Sequence, residues 1–198
     1  GLEPAHKAKL FLNPEGFAGR FITEIKQTLA DHIAETLEFL PAALQQPHPL
    51  EELFPPERAF IRVKSEQAGD RALYDWIQLD SDVERNFLAR LKTDPHVVFF
   101  FKFPATFKVE LPKQIGNYNP DWGLVRYDSA TQQSKLYLIR ETKGGTDLNT
   151  LRFPHEKRKI VCALKYFAKL GVDYDFTTGD NPDWWASRLV QQTLQQQP

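Results

Sequence analysis

The chain has 198 residues, enough for one well-packed domain or a compact domain with an extra lobe. Hydrophobic residues make up 41% and charged residues 26%, a globular composition rather than a disordered one. Net charge is −1, so any surface for a polyanion must be local; the single cysteine, Cys162, excludes an internal disulfide and a cysteine-built zinc site, and fits a reducing compartment.

Residues 1–16 read as an irregular lead-in without a signal peptide. Residues 17–46 read as one helix, because Ile22, Ile25, Leu29, Ile33, Leu37 and Leu40 recur at spacings of three and four. Four prolines (Pro47, Pro49, Pro55 and Pro56) make residues 47–58 a linker, so the expected division is a helical segment over 1–58 and a core domain over 59–198. Ala59 to Val63 and Ala72 to Ile77 are strand candidates around a polar turn at Gly69-Asp70. Residues 82–92 read as a helix.

His96 to Phe103 is a strand apolar enough to need cover on both faces, and it contains the longest apolar run, Val97 to Phe101, which is too short to span a membrane. Phe107 to Leu111 reads as its hairpin partner. Asp121 opens a further strand through Tyr127, a turn at 128–133 follows, and Leu136 to Lys143 returns beside it. Residues 155–170 form a helix that crosses over to a parallel strand at Val172 to Thr177. Asn181 and Pro182 have the pattern of a cap and first residue of a last helix, which runs out into a glutamine-rich tail. The sum is an α/β fold with a mixed central sheet flanked by helices, plus the N-terminal helical segment.

The chemistry concentrates in Asn119-Pro120-Asp121 and, twenty residues on, Glu141-Thr142-Lys143. Glu141 and Lys143 are i and i+2, so on a strand they share a face. The hairpin brings Asp121 toward them, and Gly144-Gly145 marks the sheet's end, where backbone turns sharply or meets a ligand. Two carboxylates can hold a divalent cation, and a lysine beside them can orient or activate water. The bland alternative is a strand whose charges simply run into solvent.

These blocks have company. Ser81-Asp82-Val83-Glu84-Arg85-Asn86-Phe87, Phe101-Lys102-Phe103-Pro104, Gly116-Asn117-Tyr118-Asn119-Pro120-Asp121-Trp122, Glu141-Thr142-Lys143-Gly144 and the run from His155 to Ala163 occur in that order. From about Tyr74 to Thr178 the sequence resembles the PD-(D/E)XK nuclease domain, specifically the C-terminal endonuclease domain of the restriction subunit of type III restriction enzymes. The resemblance implies a restriction-endonuclease-like αβββαβ core that cuts double-stranded DNA with Mg2+, or Mn2+ in its place.

It implies Asp121 and Glu141 as metal-binding acids, with Thr142 beside them in the metal set, and Lys143 as the catalytic lysine. It further implies an ATP-dependent translocase upstream on the same polypeptide, a separate methyltransferase subunit that reads the target, and a cytoplasmic location in a prokaryote. The absent Gly-x-x-x-x-Gly-Lys-Ser/Thr motif means no ATP site of that kind here. With no methionine and a first residue Gly1, the expectation is a piece of a longer chain. The rival is a nuclease-like module that binds DNA or protein without cutting.

Glu84 has two open readings. In nucleases of this group a glutamate on the first core helix can join the metal, but Ser81-x-x-Glu84 is also a capping box. Arg152 to Lys169 holds six basic residues against Glu156 alone. Arg152, Arg158 and Lys165 are candidates for DNA phosphates, against the alternative of a solvated helix face. Lys157 lies on the apolar stripe and is expected to point at the site, and Lys102, Lys108 and Lys113 are further backbone-contact candidates. His155 reads as a helix-start residue; Cys162, Trp122, Trp184 and Trp185 read as packing groups.

Overall fold

A computed structural model describes residues 13–40, 50–56, 62–128, 135–145, 147–148, 151 and 153–186. Helix α1 (Pro14–Thr36) starts where Asn13 caps it: the Asn13 side chain accepts from the Gly16 amide at 2.8 Å, and Pro14 takes the first position, where no amide hydrogen is needed. It begins earlier than its apolar stripe predicts and ends ten residues sooner, as Leu37 turns extended. The stripe also meets the core only at its C-terminal half. Ala30 and Ala34 are buried, while Phe21, Ile22 and Ile25 are at least half exposed.

A single helical turn, α2 (Leu50–Leu53), occupies part of the proline-rich stretch. The first strand candidate lies partly outside the described residues. Its described part, Arg62–Lys64, is a 3-10 turn leading into β1 (Ser65–Gln67). β1 pairs antiparallel with β2 (Trp76–Gln78) across a loop where Gly69 adopts φ +86°, a conformation glycine takes without strain.

The core follows as α3 (Asp82–Thr93), β3 (Val97–Lys102), β4 (Trp122–Tyr127), β5 (Lys135–Thr142), α4 (Pro154–Lys169) and β6 (Asp173–Thr177). This is the αβββαβ order. β3, β4 and β5 run antiparallel, and β6 joins β5 in parallel, with sheet order β3-β4-β5-β6. A parallel neighbour requires a crossover, and α4 supplies it. The expected turn at 128–133 falls mostly outside the described residues.

Two expectations are corrected. Phe107 to Leu111 forms no hairpin with β3; only Val109 pairs, in one bridge to Tyr118, while β4 takes the place beside β3. Asn119 holds this loop by donating to the carbonyls of Pro104 and Phe107. Asn181 starts a turn rather than a helix within the described residues, its Oδ1 accepting from the Asp183 amide at 3.1 Å. That turn is pinned by Arg140, which donates to the carbonyls of Trp184 and Trp185.

Two apolar clusters sandwich the sheet. One gathers Phe87, Leu88 and Leu91 of α3 with Trp122 and Trp184; the other gathers Ile160, Cys162 and Phe167 of α4 with Tyr118, Tyr174 and the α1 alanines. Cys162, Trp122 and Trp184 are thus packing groups, as expected.

α1 docks on α4 by polar contacts as well. Arg158 grips Asp31 at 2.6 Å and reaches the Gln27 carbonyl, and Lys165 donates to the carbonyls of Ala34, Glu35 and Leu37. The last turn of a helix leaves such carbonyls without intrahelical partners, and a lysine satisfies them.

Candidate active site

Asp121 sits just before β4, where its carbonyl accepts from Phe103 at the end of β3. The β4–β5 register, Trp122 opposite Arg140, carries it to the end of β5. There its Oδ2 accepts from both the amide (2.8 Å) and the hydroxyl (2.6 Å) of Thr142. Glu141 is buried next door, paired in the sheet with Phe176 of β6. Its Oε2 accepts from the Tyr118 hydroxyl at 2.6 Å, and Tyr118 in turn shares a 2.8 Å hydrogen bond with Tyr174.

Lys143 lies 3.0 Å from Glu141 Oε1 and 3.2 Å from Glu156 Oε1 on α4. The parallel β5–β6 ladder continues through it, since its amide donates to the Thr177 carbonyl. The expected acid, acid and lysine therefore stand in one place. Glu141 and Lys143 face a cleft of about 270 Å3 whose wall includes Asn117, Tyr118, Glu156 and Lys159, while Asp121 stands behind it on Thr142.

The charges explain what such a place can do. Burial, then the negative charge of Asp121, pushes Glu141 up to about 7, against the pull of Lys143 and Tyr118. Burial also raises Asp121, opposed by the Thr142 hydrogen bonds and aided by the charge of Glu84. Burial pulls Lys143 down, but Glu141, Glu156 and Asp121 outweigh it and leave the ammonium above its ordinary value. Tyr118 and Tyr174 are raised well above theirs, by burial and then by Glu141, so both remain phenols that can donate.

Two acids of like sign forced together out of water are a site that a cation relieves. Among the described residues no group of three histidine, cysteine or acidic side chains is gathered for a metal. The donors on hand are the carboxylates of Asp121 and Glu141, which are hard oxygen ligands. They suit an ion such as Mg2+, which keeps several waters and takes one or two carboxylates. Thr142 turns both its hydrogens to Asp121, so its side chain fixes that acid's orientation.

The remaining candidates divide. Glu84 Oε2 accepts from the Asp80 amide and the Lys102 ammonium, each at 2.7 Å, while Ser81 Oγ caps the Glu84 amide. Its capping bond goes to the residue before the expected one. Lys102 is held between Glu84, Asp80 and the Gln78 carbonyl. Arg158 and Lys165, the expected phosphate contacts, instead bind α1. Lys157 is exposed, with its charge felt at Asp31 of α1, and Lys159 is the α4 lysine that lines the cleft. Lys108 and Lys113 are exposed, and Arg152 lies outside the described residues.

Sequence reasoning missed Tyr118, Glu156 and Lys159. Tyr118 offered a signal, standing three residues before Asp121 inside one of the quoted blocks. Glu156 and Lys159 offered only their i, i+3 spacing on the first turns of α4, which places them on one face.

A family model described as an endonuclease domain matches residues 70–187, more than half of the chain. No curated protein and no solved structure matches it. The matched span runs from the loop before β2 through α3, the whole sheet and α4 to the Arg140-pinned turn, so it holds both acids and the lysine. The chain belongs to this endonuclease-domain family and is a restriction-endonuclease-like nuclease.

Proposed function

We propose that this domain hydrolyses phosphodiester bonds of double-stranded DNA with a divalent cation, Mg2+ or Mn2+, and that it is the cleavage module of a type III restriction enzyme. Support comes first from one observation: Asp121, Glu141 and Lys143 converge at the end of β5, where the charge of Asp121 raises the proton affinity of the buried Glu141 and Lys143 pairs with it.

In this reading Asp121 and Glu141 hold the ion. Bound there, it supplies Lewis-acid polarisation of the phosphate and a more acidic water. Tyr118 holds Glu141 Oε2, leaving Oε1 on the side of Lys143. Lys143 is a cation at neutral pH, since its neighbours raise it, so it orients water or offsets phosphate charge rather than accepting a proton. Glu156 shares that ammonium and Lys159 adds positive charge to the same cleft. Double-stranded DNA, an upstream ATP-dependent translocase and a methyltransferase subunit are the partners this reading requires, in a prokaryotic cytoplasm.

Plasmid cleavage by the intact enzyme tests it. Asp121→Ala and Lys143→Ala should each remove cutting by more than ~100-fold, with an unchanged circular dichroism spectrum. Calorimetry should show a Mg2+ site in the native protein that Asp121→Ala lacks. Full cutting by either variant would place the chemistry elsewhere.

A further inference from the structure

Beside the catalytic cleft lies a second cavity of about 310 Å3, at the lower end of the range for small-molecule sites. Its walls are flat: Tyr74, Trp76, Phe101 and Phe103. The phenylalanine rings are held by their neighbours, and the Tyr74 hydroxyl donates to the Pro55 carbonyl. Phe103 stands 4.9 Å from Phe101 and 4.7 Å from Phe107, centroid to centroid, and Phe54 meets Phe101 edge-on. Phe101 lies directly over Gly123, where a Cβ would come within 2.3 Å of the ring.

The cavity adjoins the reacting centre. Asn119 lines both spaces and is two residues from Asp121. Lys102 lines the cavity and is bonded to Glu84, whose charge reaches Asp121.

Charge decides what can enter. Among the described residues Lys102 is the only basic one in the lining, and Glu84 and Asp80 already hold its ammonium. The other ionisable lining groups include two acids, Asp75 and Asp80. A phosphate would be repelled, while a neutral planar group with hydrogen-bond donors on its edge would be welcome. A nucleobase is such a group, since every base has a face for aromatic stacking. Guanine fits best, because its N1–H and N2–H2 present adjacent donors to a carboxylate.

We propose that this cavity holds one unstacked nucleobase of the substrate strand, preferably guanine, next to the phosphate being cut. Trp76 and Phe103 stack on it and Asp75 accepts from its edge. This assignment rests on the nuclease reading above. Its role is to anchor the strand, because extrusion of a base costs unstacking energy that an aromatic pocket can return.

Calorimetric titration of the protein with dGMP and with deoxyribose 5-phosphate tests the site apart from catalysis. dGMP should bind saturably and the base-free sugar phosphate should not. Trp76→Ala should weaken dGMP about tenfold, matching the ~1–3 kcal/mol of one lost stacking contact. Asp75→Asn, a gentler change at an exposed position, should weaken dGMP more than dCMP. Asp121→Asn should bind dGMP as the native protein does while cutting nothing. Equal binding of dGMP and sugar phosphate, or unchanged dGMP binding in Trp76→Ala, overturns the pocket even if cleavage is intact. Binding of indole or phenol in place of dGMP also overturns it, in favour of a protein side chain as occupant. dGMP binding in a protein whose plasmid cleavage is unaffected by Asp121→Ala would instead overturn the nuclease reading and leave the pocket standing.

Discussion

The first turn of α3 and the last residues of β5 each hold a buried glutamate, and the two are treated oppositely. Glu84 receives an amide and an ammonium on one oxygen, at a helix N-terminus that itself favours negative charge. Glu141 receives a phenol and a lysine but stands beside another acid, and its proton affinity climbs to near neutrality. Burial alone therefore does not set a glutamate's proton affinity. The neighbouring charge that the protein leaves incompletely offset does.

The largest effect should come from exchanging one glutamate for its amide at each place. Glu141→Gln should lose cleavage by more than ~100-fold, since losing even an outer partner of a metal ligand costs ~10–100-fold. Glu84→Gln should keep cleavage within about tenfold, while lowering stability by ~1–3 kcal/mol as Lys102 loses its closest anion. Similar cleavage losses in both would erase the distinction.

Tyr118→Phe comes next. It strips Glu141 Oε2 of its donor while keeping the ring, so the Mg2+ concentration for half-maximal cutting should rise by ~10–100-fold. Tyr174→Phe, one bond further out, should move it less.

The pH dependence follows from the sign of the shift at Glu141. Its folded value, about 7, lies above the ordinary 4.5, so the folded protein prefers the protonated acid. Metal-free stability should then fall as pH rises from about 4.5 to about 7, and level off above. Mg2+ needs the ionised form, so its apparent affinity should climb up to ~tenfold per pH unit below 7. Thermal melts without metal and Mg2+ titrations from pH 6 to pH 8 read the two limbs. A flat response would mean that Glu141 is ionised throughout.

The smallest effect belongs to the α3 cap. Ser81→Ala should cost ~1 kcal/mol of stability and leave cleavage unchanged, because the helix N-terminus loses one acceptor and the site loses none.

The hairpin carrying both acids was legible because two apolar strand-like runs bracket a polar turn, and the crossover helix was legible from its stripe. Phe107 to Leu111 misled because its β-like composition sits between Pro104 and Pro112, and β4 satisfies the β3 edge first. The docking of α1 was hidden for a different reason. A basic helix face looks alike whether it meets phosphates or the carbonyl end of another helix, and only the tertiary neighbour of Arg158 and Lys165 separates the two. Lys157 and Lys159 were exchanged because a stripe read from sequence is broad enough to admit either. The aromatic cavity had no linear signature, since its walls come from the loop before β2, the end of β3 and the residues that follow.

The clamp between α1 and α4 carries a mechanical corollary. Arg158, which grips Asp31, is the immediate neighbour of Lys159, which faces the cleft, and Glu156 is two residues away. α1 is therefore fastened by side chains, not by a loop, to the same helix that presents Glu156 and Lys159 to the cleft.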